Sequence, residues 1–184
     1  MNEPHELGPL ARLAGTWEGD RGKDVAPSRD RIREATDFRE RMTFEPIGRV
    51  ANHEQALQGL RYATTAWRIG EADPFHEEVG YWLWDGAARQ VMRCFLVPRG
   101  VTVLAGGSAE PDASRLVLAA ELGSATFGIA SNPFLHEHFR TVRYDLTVRL
   151  NDDGSLGYEE DTQLQMPGRP EIFHHTDTNT LRRS

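Results

Sequence analysis

The stretch FRTVRYDLTVRL, residues 139–150, alternates in side-chain character with a period of two along most of its length. Val142, Tyr144, Leu146, Val148 and Leu150 share one face, while Arg143, Asp145, Thr147 and Arg149 share the other. That is the pattern of a β-strand with one buried face. Downstream, NDDGS (151–155) reads as a hairpin turn, LGYEEDTQLQM (156–166) returns, and PGRP (167–170) turns again into EIFHHTDTNTL (171–181). Upstream, strand-like runs recur: MTFEPIG (42–48), RYATTAWRIG (61–70), FHEEVGYWLWD (75–85), RQVMRCFLVPRG (89–100), VTVLAGG (101–107), SRLVLAAEL (114–122) and SATFGIA (124–130). Each is bounded by Gly, Pro or Asp, and the DGAA between the third and fourth is a hairpin signal because Asp-Gly tolerates positive φ.

Helix is confined to the start. In PHELGPLARLAG (4–15), Leu7, Leu10, Leu13 and Ala14 recur about one turn apart and the run stops at Gly15. Residues 20–40 carry dense charge with Gly and Pro and read as a loop or mobile lid. The whole predicts an all-β fold, an antiparallel up-and-down β-barrel of about nine or ten strands with a short N-terminal helix. Short connections favour closure into a barrel over a sandwich, and closure removes the exposed edges a long meander would leave. The chain then forms one domain over 1–184, with the helix in 1–14, the lid in 20–40 and the last strand in 171–184. A barrel of this size has room inside for a ligand.

Charge narrows the partners. A formal net charge of -7 argues against nucleic acid, which needs a concentrated basic surface. Basic residues are instead interleaved with acids, as in RDRIREATDFRERM (29–42). No apolar run is long enough for a membrane span, and MNEPHELGPLARLAG lacks a secretory pattern, so the cytoplasm is expected. Cys94 is the one cysteine; it excludes an internal disulfide and reads as a small hydrophobe within VMRCFLV.

GTWEGDRG (15–22) places a Gly-x-Trp at the mouth of the first strand, where the Trp can plug a tapering barrel end. Gly15, Trp17 and Gly19 resemble the opening G-x-W-x-G-x-G of the nitrobindin family, heme-binding fatty-acid-binding-protein-like barrels of the lipocalin-like superfamily. The next family glycine falls at Arg21. Glu78-Val79-Gly80-Tyr81 in FHEEVGYW (75–82) is similar to that family's acidic strand segment. The resemblance implies a heme b held in the barrel by one histidine near the C-terminus, with an open sixth position where ferric iron meets nitric oxide or isomerises peroxynitrite. His174 and His175 in FHHTDTNTLRR are the candidates. The family's terminal His-Leu-x-Ala-x-Leu, counted back from Leu181, sets its ligand position at Thr176. Strand alternation lets only one of the two histidines point inward: His174 if Phe173 packs outside, His175 if Phe173 is interior.

The expected lumen is lined by Trp67, Tyr81, Phe95 and Tyr144. Three functional readings follow. The first is a barrel for a hydrophobic small molecule, with heme its most specific candidate and any enzymatic activity of the peroxynitrite-isomerase kind. The second is a metal-free carrier of a fatty acid or apolar metabolite. The third, ranked last, is a metal enzyme using His136 and His138 of LHEHF (135–139), which would share one face of a strand. His76, beside Glu77 and Glu78, becomes a ligand contact only if its face is lumenal. No residue is assigned a catalytic role. Oligomeric state is open, with a homodimer compatible.

Overall fold

The structure, a computed structural model, describes residues 4–184, with side chains from Glu6 onward. A short 3-10 helix, Pro4–Leu10, precedes eleven strands: β1 Gly15–Pro27, β2 Arg33–Asn52, β3 Gln55–Arg68, β4 His76–Asp85, β5 Gln90–Val97, β6 Val101–Ser108, β7 Arg115–Leu122, β8 Gly128–Ser131, β9 Arg140–Leu150, β10 Leu156–Gln165 and β11 Phe173–Arg183. One short helix, α1 (Pro133–His138), lies between β8 and β9. The strands close into a barrel in the order β1-β11-β10-β9-β7-β8-β6-β5-β4-β3-β2. Neighbours pair antiparallel except β7 and β8, which run parallel where the short β8 wedges beside β6. The expected nine or ten purely antiparallel strands are thus eleven with one parallel contact. No helix among the described residues is long and apolar enough to cross a membrane.

Residues 20–40 are neither loop nor lid. They form the far part of β1, a short turn, and the first part of β2, paired from Gly22↔Phe38 to Pro27↔Arg33. Their strand pattern is hidden because the inward side chains at this level, Asp24, Glu34, Thr36 and Glu40, are polar. Alternation of apolar and charged residues therefore fails although the backbone is extended.

β1 also changes parity. Its register slips between Gly19 and Gly22, so the inward positions run through Trp17 and Gly19, then through Gly22 and Asp24. One inserted residue exchanges the two faces of the strand. Glycine is needed on both sides of this bulge: a Cβ at Gly22 would lie 2.5 Å from the Phe38 ring, and one at Gly19 would lie 2.7 Å from the Thr180 carbonyl oxygen.

One barrel end is solid. Leu7, Leu10 and Leu13 cap it against Trp17, Leu60, Trp84, Leu116, Leu118 and Leu181, all buried. Trp17 Nε1 donates to the Leu13 carbonyl at 2.7 Å, and the Arg183 guanidinium stacks 4.7 Å from its ring centre. The bond satisfies the Trp17 N–H, as a buried indole requires. The N-terminal Gly-x-Trp is a stopper.

Candidate functional site

Past that plug the barrel opens into a cavity of about 440 Å³, within the ordinary range for small-molecule sites. Leu13 is part of its floor; Phe38, Met42, Phe44, Phe95, Val103 and Leu146 give it apolar walls. Across those walls runs a band of polar side chains.

Arg93 is the hub of the band. It sits on β5 between Val91 and Phe95 on the inward face and is 4% exposed. Its Nη1 donates to Glu160 Oε2 at 2.9 Å and to the Tyr144 hydroxyl; its Nη2 donates to the Tyr62 hydroxyl at 2.9 Å and to Glu78 Oε2. Tyr62 and Tyr144 in turn donate to Glu78 and Glu160 at 2.9 and 2.7 Å. The guanidinium lies 4.2 Å from the Phe95 ring centre. A buried guanidinium needs this many acceptors, because desolvation of an unpaired charge costs several kcal/mol, roughly as large as a domain's margin of stability.

Two buried glutamates of the band have opposite fates. Burial pushes Glu78 up, but Arg93, His76 and Tyr62 overrule it and hold the carboxyl at about 2. Among the described residues no cation pairs with Glu40. It accepts from Thr64 Oγ1 and Tyr158 OH, each at 2.9 Å, and from Asn179 Nδ2 at 3.1 Å. Burial outweighs those bonds and pushes it up to about 7. Burial lowers His76, but the Glu78 carboxylate 3.2 Å from its Nε2 reverses that and raises it. His76 is lumenal.

A second cluster faces the cavity from β1 and β11. Phe173 is interior, so His175 points in and His174 points out. His174 Nδ1 meets Asp161 at 2.7 Å on the exposed side. His175 Nε2 lies 2.8 Å from Asp24 Oδ1 and 3.4 Å from Asp177 Oδ2. Burial, then Glu160 and Asp24, raise Asp177 well above the usual carboxylate range.

Of the expected lumenal aromatics, the structure brings Phe95 and Tyr144 to the cavity. Trp67 and Tyr81 lie on the outer face and are corrected: Trp67 stacks under Arg39 at 4.2 Å, and Tyr81 is 43% exposed. On β4 the polar residues His76 and Glu78 take the inward positions, so the apolar set of Val79 and Tyr81 is left outside. His136 and His138 are not on a strand. They fall in α1, where a step of two residues turns about 200° and separates them. His138 stacks on Phe134 at 4.6 Å, and no shared metal geometry exists there. Cys94 is half-buried on the outer face, and burial pushes its thiol up, which suits an inert side chain.

Sequence reading missed Arg93, Glu40, Asp24 and Asp177. Arg93 carried a signal: period two puts it on the same face as Val91 and Phe95, so an arginine stood at a core position. Asp177 shares parity with His175 in the same way. Asp24 carried none, because the bulge that turns it inward is invisible in the chain.

The family model of the THAP4-like, heme-binding beta-barrel domain matches residues 6–183. Among solved structures, Rv2717c from M. tuberculosis superposes with a TM-score of 0.67 at 21% identity, covering 100% of this chain and 99% of that one. Identity that low speaks for the fold alone. No curated protein gives a significant match.

Proposed function

The chain belongs to the THAP4-like, heme-binding β-barrel domain family, and from that premise we propose that its open half binds a small molecule with an apolar body and a neutral or cationic polar end. The observation that carries the reading is the acidic band in an apolar-walled cavity. Asp24, Glu34, Glu40, Glu78, Glu160 and Asp177 line it against Arg68, Arg93 and Arg99. Arg93 is already shared between two carboxylates, and Arg68 and Arg99 are exposed, where an ion pair is worth little. An apolar tail gains by leaving water against Phe38, Phe95 and Val103. Two buried donors on cavity-lining side chains, Trp82 Nε1 and Arg93 Nε, have no partner and suit the oxygen of a neutral polar end such as a hydroxyl.

Heme b is the specific occupant that family membership puts forward, and its iron would supply the nitric-oxide or peroxynitrite reactivity. The apolar walls suit a porphyrin. The donor set does not. His175 is the inward imidazole of the C-terminal pair, and two carboxylates crowd its Nε2 at 2.8 and 3.4 Å, where iron and the porphyrin face would have to lie. No chemical step is therefore derived through heme.

A fatty-acid carrier is disfavoured by the same band, since its carboxylate would meet like charge and no unshared buried cation. The test holds the tail constant and changes the head. Quenching of tryptophan fluorescence by dodecylamine, dodecanol and dodecanoate should rank amine and alcohol ahead of the acid by about tenfold, equivalent to ~1.4 kcal/mol. The opposite order overturns the reading. A hemin titration run beside it should give no Soret band that depends on His175; a band lost in His175→Ala and kept in His174→Ala would restore heme.

A further inference from the structure

We propose that Asp24, His175 and Asp177 form a binding site for a single divalent first-row cation on the cavity wall, beside the cluster around Arg93. Asp24 and Asp177 stand directly opposite one another in the β1–β11 register, and both point inward. Two carboxyl groups in that arrangement cannot both stay charged unless a cation sits between them. Elsewhere this protein supplies its inward acids with partners: Arg93 serves Glu78 and Glu160, and hydroxyl and amide donors serve Glu40. Among the described residues no Arg or Lys pairs with Asp24 or Asp177; the two side chains reach His175 and each other.

The geometry suits a metal ion. The three donor atoms lie within 4.8 Å of one another. Ligands bound at about 2.0–2.2 Å from a common ion are separated by about 3.0–3.4 Å in tetrahedral or octahedral sites. The observed 2.8 and 3.4 Å at His175 Nε2 already bracket that spacing. One imidazole nitrogen and two carboxylate oxygens are a borderline-hard set suited to Zn²⁺, Mn²⁺ or Fe²⁺. With the ion bound and the proton they share released to solvent, two carboxylates balance its charge. Three protein ligands leave coordination positions open toward the cavity. Asp24 is almost fully buried, whereas the His175 side chain is 31% exposed, so the ion has a way in.

The test is isothermal titration of the chelator-treated full chain with zinc chloride, with Co²⁺ visible absorption as a second reporter. About one equivalent should bind with a Kd of ~1 µM or tighter, and Asp177→Asn or His175→Ala should each weaken it by about 100-fold. Asp177→Asn keeps the shape of the side chain, and an unchanged circular dichroism spectrum and melting curve separate lost ligation from lost fold. His174→Ala and the paired His136→Ala, His138→Ala variant, which remove outward histidines, should bind zinc as the parent does. No uptake overturns the proposal, as does binding that disappears in the outward-histidine variants and survives Asp177→Asn. The head-group ranking, measured on the chelator-treated protein before zinc is added, separates the two claims. If it stands while zinc is not taken up, only the cation site falls; if it fails while zinc binds, only the organic chamber falls.

Discussion

The two ends of this barrel are built from the same strands and filled by opposite rules. The closed end is packed with apolar side chains: Leu10, Leu13, Leu60, Leu118 and Leu181 pack around Trp17, and the Trp17 indole N–H has its partner. At the open end the inward positions of those strands carry Glu40, Tyr62, Glu78, Arg93, Tyr158 and Asn179. A carboxylate or guanidinium at a core position costs stability unless fully paired, so a chain that keeps several on one level is holding a site there. The closed end is a core that contributes stability, and the open end is a chamber that uses it.

The largest effect expected is at the hub. Arg93→Met strands Glu78 and Glu160 as buried charges, and urea unfolding should show a loss of ~3–5 kcal/mol. A loss under 1 kcal/mol would mean the band is wet and loosely held, and the contrast between the ends would dissolve. Next comes the plug: Leu10→Ala should cost ~3 kcal/mol through the cavity it leaves. Its ligand ranking should stay unchanged, because the site lies at the other end. A shifted ranking would show the two ends to be coupled.

The third concerns pH. Glu40 ordinarily titrates near 4.5 and is pushed up to about 7, so between those values the folded chain keeps a proton the unfolded chain has released. Its contribution is complete below pH 4.5 and lost as pH rises through about 7, up to ~3 kcal/mol. Glu78, held at about 2, acts in the other sense, stabilising above 4.5 and losing that contribution as pH falls toward 2. Denaturation of Glu40→Gln across pH 4.5–7 should therefore show a flatter profile than the parent, with the acid limb retained. An identical slope in both proteins would remove Glu40 as its source.

The smallest effects divide inner from outer face. Phe95→Ala should weaken dodecanol binding by about tenfold, whereas Trp67→Ala and Tyr81→Ala should change it less than about twofold, because neither touches the cavity. Stability should fall by ~1 kcal/mol or less in Trp67→Ala through its lost Arg39 stacking.

How far the sequence could be read follows from the same contrast. Where the lumen is apolar, as along Leu146, Val148 and Leu150 of β9, the period-two pattern gave strand, face and partner together. Where the lumen is polar, the rule that apolar faces turn inward assigns the wrong side. It set Tyr81 and Trp67 inside, and it made a loop of the strands around Asp24 and Glu40. His136 and His138 failed for a related reason: Asn132 caps a helical turn there, accepting from the Leu135 N–H at 2.9 Å, within a stretch too short to show a helical period.

By itself the chain determined that extended segments with short connections must close on one another, and that Trp17 behind Gly15 stops one end. Those are local facts, written in side chains two residues apart and in turns of a few residues. Only the tertiary structure decided which face of each strand the barrel encloses. A single inserted residue in β1 reverses parity, and closure of β1 on β11 brings Asp24 to His175 across 151 residues of sequence. Pairing of that range depends on the register of the closed sheet, which no local pattern carries.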